Sequence, residues 1–217
     1  MRENSVFIFA STKDVYGSFA DNFREVPETC PTLYNGQSAL EWSKLIAERY
    51  VEYYAQQRNF RSCIFRLSTV YAPMSEGNTP NFVTHYADSI NKGEPIRLAA
   101  GGAPRRDFLH VEDFARACQA FVDSVIRHGL YNLGGGAENA LSLRELVAKM
   151  EEISGYQAIN RRRKSNARAC SDELRFGFNV WLSRNWIGNR KLVWTKDLKH
   201  CSFNIYHLIG LLPFNDK

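Results

Sequence analysis

The sequence predicts an α/β fold built on a parallel sheet, and three observations carry that prediction. A short, unbroken apolar run, VFIFA at Val6–Ala10, has the pattern of a strand buried on both faces, and CIFRL at Cys63–Leu67 reads as a second buried strand. Between and after them stand segments whose apolar residues recur every three or four positions, the period of a helix with one buried side. Strand and helix alternate in this way as far as about Gly155, the order expected of parallel strands joined by helical crossovers.

The first strand runs into Ser11 and Thr12, a pair of hydroxyls just past its C-terminal end, the edge at which open α/β sheets bind ligands. Ser and Thr also commonly begin turns, so the pair alone is a weak signal. A loop with Pro27, Pro31 and Gly36 follows. The stretch QSALEWSKLIAERY, Gln37–Tyr50, then opens a helix that extends to about Gln57, with Ser38 available as N-cap. Leu40, Lys44, Ala47 and Val51 stack along one side of it, which puts Lys44 on the inner side of the helix. A lysine there is ordinarily a snorkelling side chain.

After the CIFRL strand, Pro73 closes the exit. FVTHYADSINKG, residues 82–93, reads as an amphipathic helix stopped by Gly93, and PIRLAAGG as a short strand and turn. VEDFARACQAFVDSVI, residues 111–126, predicts a helix with Phe114, Cys118, Phe121 and Val125 on one face. LYNLGGG is a strand ending in a glycine turn. SLRELVAKMEEISG is a helix with Ser142 as N-cap and Glu145 in the capping-box position.

The chain has 217 residues, enough for one domain or slightly more, and its 44% hydrophobic and 24% charged residues are ordinary for a soluble globular protein. No apolar run reaches the about 18 residues of a membrane span, and the N-terminus lacks the long apolar region of a secretory signal. A cytoplasmic location is expected. Five cysteines (30, 63, 118, 170 and 201) are scattered without a C-x-x-C pair, and the five histidines show no H-x₃-H spacing, so neither a disulfide framework nor a metal site is expected. The net charge of +5 is unevenly divided: residues 156–217 hold 12 Lys/Arg against 4 Asp/Glu, while residues 1–155 hold 16 against 19. Three of the four tryptophans also lie in that last segment, where no clean period survives.

Order and spacing of the polar motifs say more than any one of them. S-T-x-x-V-Y-G follows the first strand, S-K-x-x-x-E lies on the next helix, and R-x-x-x-V-Y-x-P follows the next strand. R-R-D-F-x-H-V-x-D then precedes another helix, and Y-N-x-G-G-G closes the series. This series resembles the NAD-dependent epimerase/dehydratase family, the sugar-nucleotide branch of the extended short-chain dehydrogenase/reductases, over roughly residues 5–155. The resemblance implies the C-terminal part of a Rossmann-like doubly wound parallel sheet plus a small substrate-binding α/β subdomain. It divides the chain into a partial epimerase/dehydratase domain at 1–155 and a basic, atypical segment at 156–217.

Members of that family move a hydride from a sugar carbon to NAD while a tyrosine phenolate removes the hydroxyl proton. A phenol titrates near 10, and a lysine ammonium one turn away favours its ionised form. The resemblance implies that Thr12 is the hydroxyl that bonds the reacting sugar oxygen and Lys44 the lysine that also holds the nicotinamide ribose. It places Ala10, Ser11, Leu67 and Ser68 beside the cofactor. Thr69, Asn81 and Phe82 fall in the nucleotide-sugar pocket, with Arg106 as the forked donor to the diphosphate. The substrate implied is a UDP-, dTDP-, GDP- or CDP-linked sugar. Lys13 and Asp14 keep half of the acidic pair of the dehydratases, which favours an epimerase, and a homodimer or a companion chain is the implied assembly.

Three departures accompany the match. Leu40 stands where the family has its tyrosine, and no tyrosine in the chain is followed by lysine four residues later. The glycine-rich phosphate turn of the family precedes the S-T-x-x-V-Y-G strand by several elements, so an N-terminal truncation is expected, with the 6–10 strand left as an apolar edge. The change in charge and tryptophan content after Gly155 is what a shifted reading frame would produce. Two other readings compete with an enzyme: a non-catalytic nucleotide-sugar-binding or interaction pseudoenzyme, favoured by Leu40, and nucleic-acid binding through RRRK (161–164) and the basic tail. The last ranks lowest, because a solvated basic loop is commoner and no motif frames this one.

Overall fold

Two apolar strands lie side by side because their side chains can be covered from above and below, and the chain arranges its helices to do so. The computed structural model describes residues 5–73, 81–136 and 139–160, together with the backbone of a short antiparallel pair, Trp186–Ile187 with Arg190–Lys191. The sequence readings at 161–185 and 192–217, including RRRK and the shifted frame, lie outside the described residues.

Strands β1 (Val6–Thr12), β2 (Arg61–Leu67) and β6 (His128–Leu133) form a parallel sheet in the order β1-β2-β6. Side chains alternate across it. From β2, Cys63 and Phe65 join Ala117 and Phe121 of α3 (Val111–Asp123), while Arg66 reaches Glu48 of α1 (Ala39–Arg58). One helix therefore covers each face, the doubly wound arrangement. Beyond Ser68 the chain crosses into a second sheet, β3-β5-β7, with β3 (Thr69–Tyr71) parallel and β7 (Ala140–Ser142) antiparallel to β5 (Arg105–His110). Helices α2 (Phe82–Lys92) and α4 (Leu143–Ser154) bury Val83, Ile90, Leu146 and Met150 against Tyr71 and Phe108 of this sheet. A third pairing, β4 (Pro95–Ile96) with β8 (Ile159–Asn160), closes the far side.

The predicted caps form. Ser38 and Glu41 make a capping box on α1, and Ser142 and Glu145 make another on α4. Gly93, with φ of 65°, ends α2 in the left-handed conformation that favours glycine.

Four expectations need correction. β1 is not buried on both faces, since Phe7 is 37% exposed; its place at the edge of the sheet, paired only with β2 among the described residues, is the one expected. Helix α3 stops at Asp123, where Ser124 turns extended, so Val125 is 96% exposed instead of sharing the helix face. The loop after Thr12 is in part a 3₁₀ segment, Lys13–Asn22, capped by the Thr12 hydroxyl. Leu40 does not pack on the inner side of α1: it is 64% exposed, and the buried side is Leu45, Glu48, Val51 and Ala55.

Candidate functional site

The register of the parallel sheet decides which predicted residues meet. Thr12 pairs with Leu67, and Leu67 pairs with Leu133, so all three stand at one C-terminal edge. Ala10, Ser11 and Ser68 share that edge, and the backbone amide of Ser68 donates to Leu133 O at 2.9 Å. Lys44 arrives from α1: its ammonium donates to Ala10 O at 2.9 Å and sits 5.2 Å from the Phe9 ring centre. A lysine and a hydroxyl are thus fixed on facing elements at the open end of the strands. Leu40 lies one turn before Lys44, exposed, with no phenol to offer. The ring of Tyr34, from the preceding loop, stacks on Trp42 at 6.2 Å.

The helix that carries Lys44 is fastened by charges inside the protein. Glu48 is 0% exposed and Arg66 3%. Arg66 donates from Nε to Glu48 Oε1 at 3.0 Å and from Nη2 to Oε2 at 2.6 Å, a two-point grip that suits a planar guanidinium. Ser11 donates its hydroxyl to the same carboxylate. Arg66 Nη1 donates to Tyr16 OH at 2.7 Å, and Tyr16 donates its own proton to Asn132 Oδ1 at 2.8 Å. Burial opposes the charge of Arg66, yet the bonds to Glu48 and Tyr16 raise its pKa above the usual arginine value. Burial pushes the Tyr16 phenol up to about 12 against the pull of Arg66. Ser11, beside the candidate hydroxyl Thr12, and Glu48, one turn beyond Lys44, are therefore held by one network.

The second sheet approaches the same edge from the other side. The Thr12 hydroxyl accepts from Asp14 N and donates to Asp14 Oδ2, both at 3.2 Å, and Lys13 forms an ion pair with Asp14 at 2.8 Å. Burial lowers the pKa of Arg106 on β5, while the charge of Asp14 works the other way. The loop after β1 and the diphosphate candidate are thus electrostatically coupled. Thr69 pairs with Phe108. Asn81 is committed to the fold: its side-chain oxygen caps α2 by accepting from Val83 N and Thr84 N, and its amide donates to Val70 O. Phe82 packs on Phe108 and Tyr86 but keeps 36% of its surface exposed.

The sequence reading assigns no role to Glu48, Arg66, Tyr16, Asn132 or Asp107. All five stand inside the quoted strings, Tyr16 in S-T-x-x-V-Y-G, Glu48 in S-K-x-x-x-E, Arg66 in R-x-x-x-V-Y-x-P, Asp107 in R-R-D-F-x-H-V-x-D and Asn132 in Y-N-x-G-G-G, and that co-occurrence is the available signal. Among the described residues no group of three or more His, Cys, Asp or Glu could hold a metal ion, and no helix is long and apolar enough to cross a membrane.

Known proteins resemble this chain in sequence and fold. The chain belongs to the NAD dependent epimerase/dehydratase family, whose model matches residues 1–134. It is 29% identical over 160 residues to YtcB of Bacillus subtilis (strain 168), described as an uncharacterized UDP-glucose epimerase, covering 72% of this chain and 48% of that protein. The UDP-glucose 4-epimerase of Thermus thermophilus, solved as a complex with NAD, superposes with a TM-score of 0.56 at 25% identity, over 72% of this chain and 50% of that one. MoeE5, solved in complex with UDP-glucuronic acid and NAD, gives a TM-score of 0.62 at 26% identity, over 72% and 50%. The chain spans about half the length of these relatives.

Proposed function

We propose that residues 1–155 form the substrate-facing half of a cytoplasmic nucleotide-sugar epimerase/dehydratase site of the 4-epimerase type, and that residues 156–217 stand apart from it. The observation that carries this reading is the Lys44 ammonium bonded to Ala10 O at the strand edge that also holds Thr12. The diphosphate of a UDP-, dTDP-, GDP- or CDP-linked sugar would lie against Arg106, with Thr69 and Phe82 beside the nucleotide. The Thr12 hydroxyl bonds the oxygen at the reacting sugar carbon.

Bound NAD would supply the hydride acceptor for that carbon. The residues present fit its nicotinamide end: Lys44 for the ribose, and Ala10, Ser11, Leu67 and Ser68 along the strand edge. The glycine-rich turn that cradles the pyrophosphate in this family is not among residues 1–217, and the edge of β1 that no other described strand pairs is where a further parallel strand from a companion half would lie.

Leu40 leaves no phenol to remove the hydroxyl proton, so the chemical step is slowed by about 10²–10⁴-fold relative to a tyrosine at that place. Titration calorimetry with UDP-glucose and UDP-glucuronic acid tests the binding half: the purified chain binds at least one, and Arg106→Ala weakens it by about tenfold or more. No binding of any nucleotide sugar would end the reading. In a fusion that supplies the glycine-rich half, Leu40→Tyr raises turnover of UDP-glucose, and equal turnover without the substitution would refute the impairment. The exposed Leu40 favours a second reading, a nucleotide-sugar-binding pseudoenzyme. Binding of the sugar nucleotide that NAD leaves unchanged, with no gain from Leu40→Tyr, would select it.

A further inference from the structure

The Thr12 hydroxyl, which faces the reacting sugar oxygen in the reading above, is already partly engaged within the protein. A hydroxyl has one proton to donate and two lone pairs that accept. One lone pair of Thr12 Oγ1 accepts from Asp14 N, in the bond that caps the 3₁₀ segment. The proton goes to Asp14 Oδ2 at 3.2 Å. A carboxylate can only accept, so chemistry fixes the direction of that bond. Were the Thr12 proton turned elsewhere, two acceptor oxygens would face each other across the same 3.2 Å, one of them charged. The distance is long for a hydroxyl on a carboxylate, and bonds of this kind in binding sites tighten once substrate is in place. A single lone pair of Thr12 Oγ1 is left for a ligand.

The carboxylate that takes the Thr12 proton is itself held. Lys13 grips its other oxygen, Oδ1, at 2.8 Å, and the two side chains are only 16% and 32% exposed. Both residues belong to the 3₁₀ segment that begins where β1 ends, so the rigid strand edge and the ion pair orient the carboxylate together. Thr12 is thereby kept in one state, with its proton on the Asp14 side and one lone pair open.

We propose, resting on the nucleotide-sugar reading above, that Asp14 is a positioning residue that makes Thr12 an acceptor, so that the site selects sugars whose reacting carbon carries a hydroxyl able to donate to Thr12 Oγ1. An oxygen that is to lose its proton must aim that proton at an acceptor, and Thr12 in this state is one. A fluorine at the same carbon has no proton and sets its lone pairs against that of Thr12. The unmet acceptor then costs more than the bond itself contributes. The charge of Asp14 also acts on Arg106, the candidate for the diphosphate. That influence is common to all sugars on one nucleoside diphosphate and cancels from a ratio of affinities.

Titration calorimetry of the full chain with UDP-glucose and UDP-4-deoxy-4-fluoroglucose is the test. The wild type should bind the hydroxyl sugar about tenfold or more tightly than the fluoro sugar. Asp14→Ala frees the Thr12 proton to turn toward the sugar, and the ratio should fall to about threefold or less. Asp14→Gly serves in its place should that variant fail to fold, as its thermal midpoint will show. Thr12→Val should lose the preference and Thr12→Ser should keep it. A purely structural Asp14 would weaken both ligands together and leave the ratio intact. A wild-type ratio near one, or a ratio that survives the loss of the Asp14 carboxylate or of the Thr12 hydroxyl, overturns the positioning role and leaves the nucleotide-sugar reading standing. Binding of neither ligand by the wild type overturns both.

Discussion

On one side of the candidate site, α1 is fastened to the large sheet through Glu48. On the other, β5 is fastened to the glycine turn through Asp107. Both carboxyls are fully or nearly fully buried, yet Glu48 receives two nitrogens of Arg66 and the Ser11 hydroxyl, whereas Asp107 receives backbone amides on one oxygen only. A buried carboxylate with its countercharge beside it is held in its charged form, while one without a direct cation is driven toward neutrality. The first joint therefore carries its own countercharge, while the second lies beside a carboxyl that burial pushes up to about 7.

The largest expected effect tests the first joint. Arg66→Met strands Glu48 as a buried unpaired charge and should cost about 3–5 kcal/mol in urea denaturation at neutral pH. Adding Glu48→Leu should recover most of that loss, because a packed apolar pair replaces the ion pair without its desolvation. A loss near zero for Arg66→Met alone would erase the contrast between the two joints. Gly134→Ala probes the second joint. The new Cβ meets Asp107 Oδ2, and the forced shift should cost about 1–3 kcal/mol by the same measurement. Ser142→Ala removes the cap of α4 and should cost about 1 kcal/mol, the same at pH 5 and pH 8. A cap loss that varied with pH would show that protonation acts at α4 as well as at Asp107.

The contrast also separates what the sequence declares from what it conceals. The caps at Ser38 and Ser142 and the stop at Gly93 are legible because each is a local device with a residue type of its own. The order of the motifs tracks the order of the elements, which is why Lys44 and Thr12 come to one strand edge. Strands β3, β5 and β7 leave no such mark: RRDFLH carries three charged residues in six, so its buried half shows no apolar run. The helical period overshoots the end of α3, since Val125 continues it although Ser124 has already left the helix. By composition Glu48 is a polar residue suited to water. Its burial depends on Arg66, eighteen positions away on another element, and periodicity holds no record of such a partner.

The outer edge of β1 has a consequence for exchange with solvent. Successive peptide groups of a strand point to opposite sides, so alternate amides of Val6–Thr12 face β2 and the intervening ones face away from it. Deuterium uptake along this one strand should therefore run in a slow–fast alternation, unlike β2, which has a neighbour on each side. Any polypeptide that docks along that edge would write its footprint on every second residue, sparing those between.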